Sequence, residues 1–288
     1  MLAVLRHELS LYYHSMTGYV FGAFLLIFTG IGAMMYNINA SVANFEYVLS
    51  FISIVFIIIV PILTMRIIAD EKKQKTDQLL YSLPISTTDV VVGKFFALCV
   101  VYAIPMVIIS LYPLLFAKYG DVYLPTSYGS IVAFFFLGLA LISIGMFISS
   151  LTESQGMAAG ICVVVMLFNY YSTSLADYVS SKALGSLITI IVIMVLIGLI
   201  IRFMTKSDFA GYGFAIITSV VALIIYFVNS TILENLLPTV MNQLSLFERF
   251  NTFVNGVFDL TGIVYYISII VFFLFLSVQS LEKRRYNG

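Results

Sequence analysis

Residues 66–94 read RIIADEKKQKTDQLLYSLPISTTDVVVGK, a polar interruption between two apolar runs, roughly 47–68 and 92–116. Each run is long enough to cross a hydrocarbon core as a helix, which takes about 20 apolar residues. The stretch is where two membrane spans meet water. Within it, Glu71 with Lys75 and Lys73 with Asp77 are opposite charges at i, i+4, and Leu79, Leu80 and Leu83 supply an apolar end, so the pattern predicts a short surface helix. Pro84 disfavours helical geometry at Leu83 and stops it. Ser86-Thr-Thr-Asp89 then resembles a capping box, the start of a second helix that continues through Gly93 and Lys94 into the next span. From Asp70 to Lys94, four basic residues balance four acidic ones. That neutrality is unlike a polybasic lipid-binding patch. Mixed charge plus leucines suits docking to a protein, and the same composition also suits a solvated loop that only joins two spans.

Outward from this stretch, the chain is 61% hydrophobic and only 10% charged over 288 residues, with mean hydropathy +1.08. Soluble domains are roughly 25% charged. The sequence is that of a polytopic membrane protein, an all-α bundle of about eight transmembrane helices at 17–36, 47–68, 92–116, 128–151, 156–175, 184–204, 210–229 and 260–281. With the N-terminus inside, 11 of the 14 Lys and Arg fall on the inner side, Lys118, Lys182 and Arg249 being the exceptions. The positive-inside rule therefore places both termini in the cytoplasm. The expected organisation is a single transmembrane domain over 1–288, with an interfacial helix at 1–16, a cytoplasmic helical region at 70–89 and external interfacial helices over 230–258 interrupted by Pro238. No cleavable leader is read at the N-terminus, and the first span is expected to remain as an anchor. Cys99 and Cys162 lie in apolar runs and read as small buried hydrophobes.

In the N-terminal helix, Leu2, Leu5, Leu9, Tyr12 and Met16 form one apolar stripe, with Arg6, His7, Glu8 and Ser10 largely off it, which suits a helix lying in the interface. Gly18 with Gly22, and Gly156 with Gly160, are G-x-x-x-G pairs at which helices approach closely, within one subunit or in a dimer. The short turn at Thr152–Gln155 carries Glu153, Ser154 and Gln155 and reads as a second, smaller cytoplasmic contact.

No titratable residue is read in the apolar cores, which disfavours an ion-coupled carrier, and no charged ring points to a channel. His7 and His14 read as interfacial polar residues, and the methionines as gap-filling in packed helices. Phosphate-loop, zinc-protease and nucleophile-elbow motifs are absent from the sequence, so a non-catalytic membrane subunit without a metal site or nucleic-acid partner is expected.

The run Asp70 to Ser86, closing on Gly93-Lys94, resembles the signature that follows the second span of type-two ATP-binding-cassette (ABC) permeases: a charged start, T-x-x-L-L-x-S-L-P-x-S, then G-K. Ile148-Ser-Ser-Leu-Thr-Glu-Ser-Gln155 is similar to that family's turn between the fourth and fifth spans. Residues 244–259 and the ending Leu281-Glu-Lys-Arg-Arg look like the branch that includes gliding-motility and copper-maturation exporters. Where the family commonly has Gly before the Thr, this chain has Lys75, a change expected to stiffen the helix or add a charge contact. The usual subunit has six spans, so 184–229 looks like an added pair. The resemblance implies a permease subunit, of exporter type, in the plasma or inner membrane of a prokaryote. It implies dimerisation with itself or a sister permease, and separate ATPase subunits that carry ATP and Mg. Glu71, Lys75, Thr76, Leu79, Leu80, Leu83, Pro84 and Ser86 would form the ATPase-docking coupling helix, with Glu153, Ser154 and Gln155 as a lesser contact. Two alternatives stay open: an ATP-driven subunit that transmits force to an envelope assembly with nothing crossing, and an ATP-independent carrier or scaffold.

Overall fold

The computed structural model describes residues 1–76, 86–179, 182–205 and 208–287. Among them the secondary structure is entirely helical. The helices are α1 (Leu2–His14), α2 (Met16–Ala33, prolonged by a π-helical turn to Asn39), α3 (Glu46–Ser53), α4 (Phe56–Thr64), α5 (Ala69–Gln74), α6 (Thr87–Ile109), α7 (Tyr112–Phe116) and α8 (Leu124–Leu151). They continue as α9 (Gln155–Tyr170), α10 (Ser172–Ala176), α11 (Ala183–Thr205), α12 (Asp208–Val228), α13 (Leu236–Leu244), α14 (Leu246–Val254) and α15 (Leu260–Asn287). Among the described residues, four stretches are long and apolar enough to cross a membrane: Met16–Asn39, Thr87–Phe116, Leu124–Leu151 and Leu260–Arg285. The pair Glu46–Ser53 and Phe56–Gln74, bent by 60°, makes a fifth when counted as one span. The runs expected at 156–175, 184–204 and 210–229 form shorter apolar helices, Gln155–Tyr170, Ala183–Val195 and Tyr212–Val228.

The run 47–68 is thus broken where the sequence predicts continuity. At the break Val55 N–H bonds to the Ile52 carbonyl at 3.0 Å and Ile57 N–H to Ile54 at 3.1 Å, the tighter i to i−3 pattern that marks a hinge. Pro61, inside α4, has no N–H to give the ladder one turn earlier.

The chain forms two compact units, one of residues 1–168 with 249–288 and one of 169–248. In the first, α8 is the central helix: 72% of its most apolar window is buried, against 28% for the last span. Two glycines let neighbours reach its backbone. A Cβ on Gly138 would stand 2.5 Å from the Tyr102 ring, and one on Gly145 would collide with Thr64. Tyr102, fully buried, donates its hydroxyl to the Phe134 carbonyl at 2.9 Å, stacks on Phe135 at 5.3 Å and meets Phe56 edge-on at 5.9 Å. Lipid is as apolar as any side chain, so such close packing, rather than escape from water, holds these helices together. Of the glycine pairs singled out in the sequence, Gly18 lies 3.0 Å from the Tyr12 carbonyl by its virtual Cβ, while Gly22, Gly156 and Gly160 have no atom within 4 Å. Among the described residues, then, no neighbour closes on those three positions.

In the second unit, α11 and α12 pair through Leu187 and Ala222, joined by Leu233, with Ile190 and Ile225 packed around them. The region expected to be interrupted by Pro238 is instead helical from Leu236, with Pro238 in the first turn of α13, where a missing N–H costs no helix hydrogen bond. The Asn169 side chain accepts from Leu246 N–H at 3.0 Å and donates to the Leu244 carbonyl at 3.3 Å, pinning the turn between α13 and the following helix.

Because the Tyr102 ring fills the space beside Gly138, Gly138→Ala is expected to destabilise the protein by about 1–3 kcal/mol through overpacking. Thermal unfolding in detergent should show a lowered midpoint, whereas Gly160→Ala should leave it unchanged.

Candidate functional site

A lysine at position 94 sits inside an apolar run, and an ammonium group leaves water only if it is paired. Lys94, 1% exposed on α6, uses all three of its donors. Nζ donates to Glu8 Oε1 of α1 at 2.5 Å, to Glu71 Oε1 of α5 at 2.7 Å and to the Ile67 carbonyl at 3.0 Å. Gly93 makes room for this meeting, since a Cβ there would stand 3.1 Å from both the Met1 carbonyl and Val4. The G-K pair closing the polar stretch thereby has a physical meaning: the glycine admits α1 and the lysine binds it.

This geometry corrects two expectations. Titratable groups are present within the spans or at their ends: Lys94 is one, and Glu46, 2% exposed, accepts from the Ser127 hydroxyl at 2.9 Å. Moreover, α1 buries Val4, Glu8 and Tyr12 and leaves Leu2 exposed, as is Met16 at the start of α2. The stripe is therefore divided, with Tyr12 turned into the bundle and Leu2 outward, and the buried side of α1 carries the Glu8 carboxylate. Tyr12 donates to the Leu63 carbonyl at 2.9 Å; burial pushes its phenol up, so it stays a donor.

The second arm of the site is α5, which continues from the bent span. Its first backbone N–H groups would be orphans. Ser149 of α8 takes them, its hydroxyl oxygen accepting from Ile68 N–H at 3.3 Å and Ala69 N–H at 3.1 Å. One residue on, the Ser150 carbonyl, at the C-terminal end of α8, accepts from Lys72 Nζ and from the Ser280 hydroxyl of α15 at 3.0 Å. A cation at a helix C-terminus also suits the helix dipole. Asp70 accepts from Arg66 Nε at 3.1 Å and from the Gln155 side chain at the start of α9. Beside these contacts, α1 and the 66–76 segment border a cavity of about 570 Å³, lined by His7, Glu8, Arg66, Asp70, Gln74 and Lys94 among others.

The surface helix predicted from the i, i+4 charges ends earlier than its pattern implies. Lys75 is left-handed, at φ 56°, and α5 stops at Gln74. Thr76 N–H reaches back to the Glu71 carbonyl at 3.0 Å, and Lys75 N–H to Lys72 at 3.3 Å, the two bonds of a Schellman stop. Lys75 thus neither stiffens a helix nor pairs with Glu71 as an i, i+4 partner: Glu71 is turned to Lys94. A non-glycine residue in this conformation costs about 1–2 kcal/mol, which is why Gly is favoured at such a stop. Leu79, Leu80, Leu83 and Pro84, with Asp77, lie outside the described residues. Ser86 caps α6 as its sequence predicts, accepting from Asp89 N–H at 3.0 Å and donating to its carboxylate at 2.8 Å.

At the turn before α9, the Ser154 carbonyl accepts from Ala158 N–H at 2.9 Å, and Glu153 accepts from Arg284 of α15 at 2.6 Å. That hydrogen bond and the guanidinium charge hold the exposed Glu153 carboxyl below the usual carboxylate range. Thr87 donates to Glu282 at 2.8 Å, adding α6 to the same seam. Of the residues expected here, Glu71 and Gln155 join one polar network with helices α6 and α5 respectively, while Glu153 binds the last helix. Sequence reasoning missed Glu8, Asp70, Lys72, Lys94, Ser149 and Ser150. The signal was present only for Lys94, a lone cation in an apolar run.

The family described as ABC-2 family transporter protein matches residues 11–176. This chain belongs to that family. As an ABC-2 transporter protein it is a membrane permease component of an ABC transporter, and the matched residues include α5, the bent span and the turn at Gln155. No curated protein matches the chain.

The left-handed stop yields a direct test. Lys75→Gly should be neutral or stabilising by up to about 1 kcal/mol, and Lys75→Ile should cost about 1–2 kcal/mol, because a β-branched residue resists φ > 0. Limited proteolysis around residue 75 would rank the variants glycine, lysine, isoleucine in resistance.

Proposed function

We propose that this chain is the permease subunit of an ABC exporter, working as a dimer and driven by separate ATPase subunits that dock on the segment following α5. The observation that carries the reading is the anchoring of α5. Within six residues it is bound to α8 through Ser149 and Ser150, to α6 through Glu71 and Lys94 and to the start of α9 through Asp70 and Gln155. A force applied just beyond Thr76 is therefore delivered to several spans at once rather than absorbed by a loose loop.

In this reading Glu71, Lys75 and Thr76 shape the near edge of the docking surface, Leu79, Leu80, Leu83 and Pro84 form it, and Ser86 returns the chain to the membrane. Glu153, Ser154 and Gln155 form the lesser contact. ATP and Mg are bound and hydrolysed on the partner, and this chain hydrolyses nothing itself. Closure of two ATPases around ATP draws the α5 ends together and switches the bundle between inward and outward openings. The bias of Lys and Arg supports a cytoplasmic position for this end and both termini, in the plasma or inner membrane of a prokaryote under this reading. The C-terminal likeness to gliding-motility and copper-maturation exporters supports export. It lies beyond the residues that the family match covers.

The test is a tagged purification from native membranes in mild detergent. A phosphate-loop ATPase should co-purify with the native chain in roughly equal amount. Leu79→Asp with Leu80→Asp should reduce its recovery by about tenfold or more, because two buried carboxylates would each cost more than the contact supplies. Failure to recover any ATPase, even after crosslinking, would overturn the reading.

A further inference from the structure

We infer that Lys94 is a positioning residue that makes α1 and α5 move together, so that the stroke received at α5 is passed through α1 to the first span, α2. The inference rests on the proposed function for the source of the stroke; the latch itself stands on the geometry alone. Helix α1 buries only Val4, Glu8 and Tyr12, and its apolar stripe gains nothing by packing on the bundle rather than on lipid. What fixes it is the close packing of Val4 beside Gly93 together with two polar contacts, Glu8 on Lys94 at 2.5 Å and Tyr12 on the Leu63 carbonyl. Glu71 of α5 shares the same ammonium at 2.7 Å.

Lys94 and Glu8 are almost fully buried, at 1% and 6% side-chain exposure, whereas Glu71 is 25% exposed. Drawing α5 away would strip Lys94 of two of its three acceptors, Glu71 and the Ile67 carbonyl, and a buried ammonium with unfilled donors is strongly disfavoured. The three groups are thereby constrained to travel as a body. The output is α2, because Ser15 alone separates α1 from α2. Arg66, ion-paired with Asp70 of α5 at 3.1 Å, also donates to Thr17 in the first turn of α2 at 3.1 Å. A displacement of α5 thus reaches the foot of α2 by two routes, one through the buried ammonium and one through the exposed guanidinium.

The test uses the full chain, alone and with its co-purified ATPase, in lipid nanodiscs, with hydrogen exchange as the readout. Glu8→Leu with Lys94→Met removes both deeply buried charges together, which avoids the unfolding that a lone buried charge would cause. In the chain alone, exchange at residues 2–14 should rise about tenfold or more in the double variant, with 124–151 unchanged. Unaltered exchange at 2–14 would overturn the latch. With the ATPase bound, a non-hydrolysable ATP analogue should change exchange at both 69–74 and 2–14 in the native chain, and at 69–74 alone in the double variant. An equal response of 2–14 in both would overturn the coupling. Recovery of no ATPase with the native chain would instead count against the proposed function, leaving the first arm to decide the latch.

Discussion

An ammonium group cannot be left unpaired in an apolar environment, and the arrangement at one end of this protein follows from that constraint on Lys94. Its three hydrogen bonds go to three separate segments: α1, α5 and the turn between α4 and α5. Any one partner could neutralise the charge, but satisfying all three donors requires the segments to converge at a single point. In the interior the pairing is worth far less as net stability than as specificity, because desolvation offsets most of the Coulomb attraction. Its effect is to exclude other placements of α1 and α5, since each would leave a charge buried alone.

Around this point the chain is organised as a membrane protein must be, with lipid setting no premium on burying apolar surface. The outer faces are apolar, as at Leu2 of α1, Met16 of α2 or Val107 of α6, while small and polar residues turn inward. Gly138 and Gly145 bring Tyr102 and Thr64 against the backbone of α8. Serine hydroxyls complete the contacts, Ser130 reaching the Phe253 carbonyl at 3.0 Å and Ser149 capping α5. A polar seam from Glu153 and Arg284 to Thr87 and Glu282 ties the last helix to the end of α6 that holds the Lys94 cluster.

The brevity of α5 is itself informative. Six residues cannot form a stable helix in isolation, because nucleation costs more than so few hydrogen bonds return. It persists because α8 supplies both ends of its hydrogen-bonding needs nearby: a hydroxyl for its first N–H groups and a carbonyl for Lys72. The left-handed Lys75 then turns the chain sharply. Strain at such a position is retained where surrounding contacts over-determine it, and here those contacts are the ones that bind α5 to the spans of the transporter.

Much of the architecture was legible in the amino-acid order, for a physical reason: whether a run of 20 residues prefers lipid, whether proline can sit inside a helix and whether Ser86 can cap one are local questions. The all-helical bundle, the polar break at 66–94 and the cap at Ser86 all follow from neighbours a few positions apart. The hinge at Ile54 and Val55, the placement of Pro238 in a first turn and the burial of Glu8 did not follow, because each depends on what lies opposite in space. Glu8 and Lys94 are 86 residues apart, as sequence positions unremarkable and as neighbours decisive. Periodicity identified the apolar stripe of α1 but had no means to say whether lipid or protein would cover it. The sequence by itself determined that this chain spans a membrane and where its polar elbow lies; only the tertiary structure decided which charges meet there, because pairing across helices is settled by packing distance and not by spacing along the chain.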